Sequence, residues 1–224
     1  MKPFNLKREL TLWVLILIPF IYAAVNWAIL PNQVPTHWGI SGEPDSWGGK
    51  TSILLLPGLN VFCYLLFLLM PVIDPRKTNY TNFPDRIFKI RLLLTVYFAV
   101  TGISIIYGGT INNWSFLSKI ITSGIFILLA FMGNYMINIK PSWFIGIRNP
   151  WTLSNDNVWK QTHLVFGRLM FYGSMLCFVI SFFLQGQALV ILTTSFLLIT
   201  VVFSYAYSFW LFKKENNNTG SANA

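Results

Sequence analysis

The stretch "LMFYGSMLCFVISFFLQGQALVILTTSFLLITVVFSYAYSFWL", residues 169–211, contains no Asp, Glu, Lys, Arg or His. It divides once, at Gln185-Gly186-Gln187, which reads as a tight turn between two apolar runs. A helix rises about 1.5 Å per residue, so roughly 20 apolar residues cross a hydrocarbon core about 30 Å thick. Both runs meet that length. Working outward toward the N-terminus, four more runs do the same, so that six spans are expected at about 10–30, 52–73, 92–110, 117–138, 164–185 and 188–211. The expected fold class is an all-α membrane protein with six transmembrane helices.

Composition agrees. The 224 residues are 54% hydrophobic, 17% aromatic and only 10% charged, whereas soluble domains carry about 25% charged residues. Lys7 and Arg8 precede the first run. That run is too long for a signal peptide and no small-x-small site follows it, so it reads as an uncleaved span. Cys63 and Cys177 fall inside spans with no CxxC spacing, which suits apolar fillers rather than a metal or redox pair.

Charge sets the expected orientation. Lys2, Lys7, Arg8, Arg76, Lys77, Arg86, Lys89, Arg91, Lys140, Arg148, Lys160, Arg168, Lys213 and Lys214 lie at one end of the alternating spans, and only Lys50 and Lys119 at the other. The excess of positive charge on cytoplasmic loops then puts both termini in the cytoplasm. The net charge of +9 is a topology signal. Nothing resembles a basic recognition helix, so no direct contact with nucleic acid is expected. No cofactor or metal is expected either.

Three polar segments stand between the spans. The outer one, "LPNQVPTHWGISGEPDSWGGK" (residues 30–50), has three prolines that block a helix and four glycines that permit tight turns. It reads as a structured extracellular loop over 31–50. One reading is an interfacial cap in which Trp38 and Trp47 rest at headgroup level; another is a binding surface facing outward. A metal site from His37, Glu43 and Asp45 has no recognised ligand spacing. The basic segment 74–89, "DPRKTNYTNFPDRIFK", is placed to attract anionic membrane lipid.

The third segment, "PSWFIGIRNPWTLSNDNVWKQTH" (residues 141–163), is the densest in tryptophan and also holds Arg148, Asp156, Lys160 and His163. Asn149-Pro150 forces an extended or turn conformation. Ser154 then reads as an N-cap, with Asp156 in the first helical turn and Leu153 stapling to Val158. Arg148 can grip a carboxylate or phosphate with two parallel bonds, and Asp156 is its candidate partner across the turn. Two readings stay open, a juxtamembrane hinge held by its tryptophans and a cytoplasmic docking or sensing site.

Residues 134–163 resemble the signature of the SdpI family of bacterial membrane proteins. The family pattern is an Asn near the end of a span, an IGIR-T/N-P-WTL core, then a Trp and a His. Asn134, Gly146, Arg148, Pro150, Trp151, Thr152, Leu153, Trp159 and His163 occupy its positions. The outer loop is similar to an uncharacterised domain that often precedes the signature, through Leu30, Pro31, Val34, Pro35, His37, Trp38, Gly42, Pro44, Asp45, Trp47 and Lys50. The resemblance spans about residues 10–210. It implies a multi-pass protein of the bacterial inner membrane with immunity to a secreted peptide toxin and a receptor role. In the founding member, that role holds a transcriptional repressor at the membrane. The implied binding residues are the nine signature positions inside and Pro35, His37, Trp38, Gly42, Asp45, Trp47 and Lys50 outside. The implied domains are a two-span unit at 1–74, a four-span unit at 75–212 with its cytoplasmic segment at 139–163, and a disordered tail at 213–224.

Two other classes compete. A small-solute or ion transporter normally carries ionisable residues within its spans. No span centre here carries one, and the polar residues that remain, such as Asn26, Asn60, Asn134 and Asn138, suit interhelical hydrogen bonds. An enzyme needs a base beside its nucleophile. His37 and His163 fall on opposite faces, and around His163 only Asp156, Ser154 and Arg148 are near in sequence. No catalysis is expected.

Overall fold

The structure is a computed structural model and describes residues 5–75 and 84–222. Lys2 and residues 76–83 of the basic 74–89 segment, Arg76 and Lys77 among them, lie outside the described residues. The chain runs α1 (Leu6–Asn26), β1 (Gln33–Trp38), β2 (Pro44–Gly49), a short 3-10 turn (Lys50–Leu54), α2 (Leu55–Ile73), α3 (Pro84–Ile111), α4 (Ser115–Met136), α5 (Pro150–Ser154), α6 (Asp156–Ser181) and α7 (Gly186–Ala222). Six of the helices are long and apolar enough to cross a membrane. Their outer faces are undressed hydrocarbon, with Val25 and Phe183 78% and 83% exposed. A soluble protein would hide such residues, whereas lipid solvates them. The molecule is a multi-pass membrane protein.

The fold is not purely helical. The 30–50 loop forms an antiparallel hairpin, β1 on β2, with Val34 opposite Gly48, Pro35 opposite Trp47 and His37 opposite Ser46. The prolines that forbid a helix do not forbid a two-stranded ribbon, because a proline on an open edge or at a bulge owes no ladder hydrogen bond. The register shifts on both sides of His37. Val34 and Pro35 turn inward and Thr36 and His37 outward. Gly42, at φ +80°, closes the turn. Beneath the hairpin, Leu30, Val34, Ile53, Ile106, Trp114 and Leu117 form one core cluster.

Lipid is as apolar as leucine, so the helices hold together by close fit and by polar contacts rather than by the hydrophobic effect. The α4–α6 contact is the most extensive between helices. It depends on two glycines. A Cβ on Gly133 would lie 2.8 Å from the carbonyl oxygen of Gly167, and a Cβ on Gly167 would lie 2.7 Å from that of Gly133. On α7, Thr193, Thr200, Ser204 and Ser208 are all buried along one face. Each hydroxyl turns back to a carbonyl of its own helix, which leaves a slim inward stripe. Asn60 donates to the carbonyl of Thr95, joining α2 to α3.

Two expectations need correction. α3 begins at Pro84 rather than near residue 92, so Arg86, Lys89 and Arg91 are helical and not loop residues. Arg91 is drawn into the bundle by Glu9, an acid near the start of α1. The expected disordered tail is also helical as far as Ala222. Asn157 reaches from α6 to Glu215 at 2.7 Å and ties that last stretch down.

Candidate functional site

The chain reverses direction at every span. The hairpin therefore sits at one end of the bundle, and the 139–156 elbow sits at the other with the start of α1 and the end of α7. Both ends contact the α6–α7 pair. At the hairpin end, Gly42 packs against Gly186 of the α6–α7 turn, where a Cβ would meet its Cα at 2.8 Å. At the elbow end, Asn149 donates to Ser208 on α7 at 2.7 Å.

The elbow is built around Gly146, whose φ of +114° is left-handed backbone that glycine tolerates. A side chain there has no room either, since a Cβ would lie 2.5 Å from His163 Nε2 and 2.9 Å from the Trp159 ring. The tight approach lets the Ile147 amide donate to His163 Nε2 at 2.8 Å. An amide can only donate, so Nε2 accepts, and Nδ1 carries the proton toward the Trp159 carbonyl at 2.8 Å. The imidazole is neutral, fully buried and stacked on Trp159, with centroids 4.1 Å apart and planes at 23°. Trp159 in turn donates to the Ile139 carbonyl.

The Asn-Pro-Trp-Thr run then starts α5. The Asn149 side chain accepts from the Thr152 amide, and the Thr152 hydroxyl accepts from the Asn149 amide. These two bonds form a reciprocal capping box, with Pro150 at the first helical position. The same hydroxyl donates to the Ile147 carbonyl at 2.8 Å. Trp151 lies against Tyr205 and Phe209 of α7. The N-cap of α6 is Asn155 rather than Ser154, accepting from the amides of Asn157 and Val158. Ser154 closes the end of α5, donating to Trp151. Arg148 donates to the carbonyl of Trp143 instead of reaching Asp156.

So Gly146, Thr152, Trp159 and His163 are brought together, but they are spent on the elbow's own shape. Trp143 and Arg148 remain exposed at its surface, and Asn134 is exposed away from it on α4. Asp74 and Ser142 were not anticipated. Asp74 is 2% exposed at the end of α2 and accepts from the Ser142 hydroxyl at 2.8 Å and the Trp143 amide at 3.1 Å. An acid at the head of a basic segment was the available signal. Glu9 was likewise unremarked. It receives both Arg91 nitrogens and the Tyr64 hydroxyl.

On the hairpin, His37 and Asp45 come together at 2.6 Å with both side chains at least half exposed. Trp47 is exposed and meets Trp114 edge-on. Lys50 lies over the Trp27 ring at 5.1 Å, a cation–π contact. Trp38 and Pro35 pack inward against the core. Among the described residues no group of three His, Cys, Asp or Glu is arranged to hold a metal.

Six spans, a turn-rich hairpin and a buried Trp–His elbow define a multi-pass membrane protein. Residues 138–208 match the model of the SdpI/YfhL protein family, and residues 14–61 match a domain of unknown function, DUF1648. The chain thus carries one segment similar to each of these models. It is similar to the immunity protein SdpI of Bacillus subtilis, at 23% identity over 95% of this chain and 100% of that protein. It is also similar to an uncharacterised protein of Archaeoglobus fulgidus, at 32% identity over 30% of this chain and 35% of that one. No solved structure matches.

Proposed function

We infer that this chain is an immunity and receptor protein of the bacterial plasma membrane, one that meets a secreted peptide toxin at its hairpin end. The observation that carries the reading is the use of one helix pair by both ends. Gly42 seats the hairpin on the α6–α7 turn, and Asn149 ties the elbow to α7. A ligand that moves the hairpin would bear on the same two helices that hold the elbow. The His37–Asp45 pair and exposed Trp47 offer hydrogen bonds and an aromatic face to a peptide. Exposed Trp143 and Arg148 offer a surface at the opposite end for a cytoplasmic partner of repressor type. The name of the Bacillus subtilis relative supports the immunity role. The charge balance supports cytoplasmic termini, with the hairpin outside.

The test is survival of sensitive bacteria exposed to a panel of membrane-active peptide toxins. Cells would express wild type, Trp47→Ala, His37→Ala or Arg148→Ala at matched membrane levels. Protection by wild type that is lost in the hairpin variants supports the reading. Arg148→Ala should keep protection but lose capture of the cytoplasmic partner. Failure of wild type to protect against any toxin overturns it.

A further inference from the structure

A cavity of about 470 Å³ opens beside the elbow, lined by Ile137, Asn138, Ile139, Lys140, Pro141, Asp156, Trp159 and Lys160. It lies where the α4 span stops at Met136 and the α6 span begins at Asp156. That position puts it at the edge of the apolar zone, where headgroups lie. Its volume is in the range of small-ligand sites.

The lining is two-sided. Ile137, Ile139 and Pro141 make an apolar wall. Lys140, Lys160 and Asn138 supply donors, and the two lysines outnumber Asp156, so the cavity is net positive. Lys160 has no hydrogen bond or ion pair among the described residues. The Trp159 indole N–H is already taken by the Ile139 carbonyl, so the ring serves as an apolar boundary. Ammonium groups act as point charges for phosphate, and basic pockets between membrane helices suit anionic headgroups. The apolar wall favours a ligand that brings hydrocarbon with it over a free anion.

We propose that this cavity receives the phosphodiester headgroup of an anionic phospholipid, with Lys160 holding the phosphate, Lys140 adding positive charge beside it and the Ile137–Pro141 wall meeting the glycerol and the start of the acyl chains. The lipid would brace the elbow against the membrane surface. This site is independent of the hairpin and of any toxin.

The test uses the full chain, delipidated in mild detergent and titrated with short-chain phosphatidylglycerol, phosphatidylcholine or glycerol 3-phosphate, with bound ligand counted by native mass spectrometry. Wild type should retain phosphatidylglycerol over phosphatidylcholine. Lys140→Gln with Lys160→Gln should weaken that retention by roughly tenfold, while Lys213→Gln with Lys214→Gln leaves it unchanged. Lys140→Arg with Lys160→Arg should keep it. Unchanged retention in the glutamine pair overturns the proposal, and so does glycerol 3-phosphate binding as tightly as the lipid. All four lysines are exposed, and a thermal melt of each variant confirms that the fold is intact.

Discussion

Arg91 on α3 holds both carboxylate oxygens of Glu9 on α1, at 2.9 and 2.7 Å, and its guanidinium lies 5.1 Å over the Tyr64 ring of α2. Tyr64 adds a third hydrogen bond to Glu9 at 2.7 Å. Three helices of the N-terminal half meet at this one pair, which is largely shielded from solvent. Removing one partner of such a pair strands the other charge. Glu9→Gln should therefore cost about 3 kcal/mol, read as a lower melting temperature in detergent. The double change Glu9→Gln with Arg91→Met should recover part of that loss. A double variant no more stable than Glu9→Gln alone would show that the pair does not act as a unit.

Gly146 has neither the backbone freedom nor the room to take a side chain. Gly146→Ala should destabilise the protein by about 2 kcal/mol or more, the cost of left-handed backbone plus the clash with His163 and Trp159. Melting curves of the purified variant check this. Wild-type stability in Gly146→Ala would mean that the elbow can open without cost.

His163 joins the elbow to α6 through the hydrogen bond it accepts from the Ile147 amide, and its ring stacks on Trp159 of its own helix. His163→Phe keeps the stacking surface and loses the acceptor for the Ile147 amide, which should cost about 1–3 kcal/mol. His163→Ala should cost more, since it removes the stack as well. Equal stability of wild type and the phenylalanine variant would assign the whole effect to packing.

Asp74 ties the end of α2 to the elbow through Ser142 and Trp143. Asp74→Ala should loosen residues 142–145 while leaving the spans in place. A cysteine introduced as Trp143→Cys would then be labelled by a polar maleimide several-fold faster in the Asp74→Ala background, consistent with a loss of roughly 1–3 kcal/mol. An unchanged labelling rate would show that the elbow holds without Asp74.

Gly133 and Gly167 let α4 and α6 touch backbone to backbone. Gly167→Leu should force the pair apart and reduce the amount of folded protein extracted from membranes. Gly173→Ala, on the same helix but facing the end of the Phe196 ring, should cost less because a side chain can move. Comparable losses in both would argue against a special role for the Gly133–Gly167 contact.

By itself the sequence determined the six spans, the turn-rich segment between the first two and the places where chemistry-bearing residues gather. The reason is local. Whether 20 consecutive side chains prefer hydrocarbon to water is decided by those side chains alone, and so is whether proline or glycine interrupts a helix. Gly146, Trp159 and His163 could be singled out within one short stretch. What they do could not, because a polar side chain reads the same whether it faces a partner or closes on its own backbone. Only the tertiary structure decided that His163 is consumed by Ile147 and Trp159, that Arg148 turns to Trp143, and that Asn149 reaches α7. It also paired Glu9 with Arg91, 82 residues apart, and Asp74 with Ser142, 68 apart. Those partners are chosen by which helices pack together, and in lipid that choice rests on close-fitting glycines and a few long-range hydrogen bonds, none of which leaves a periodic mark in the sequence.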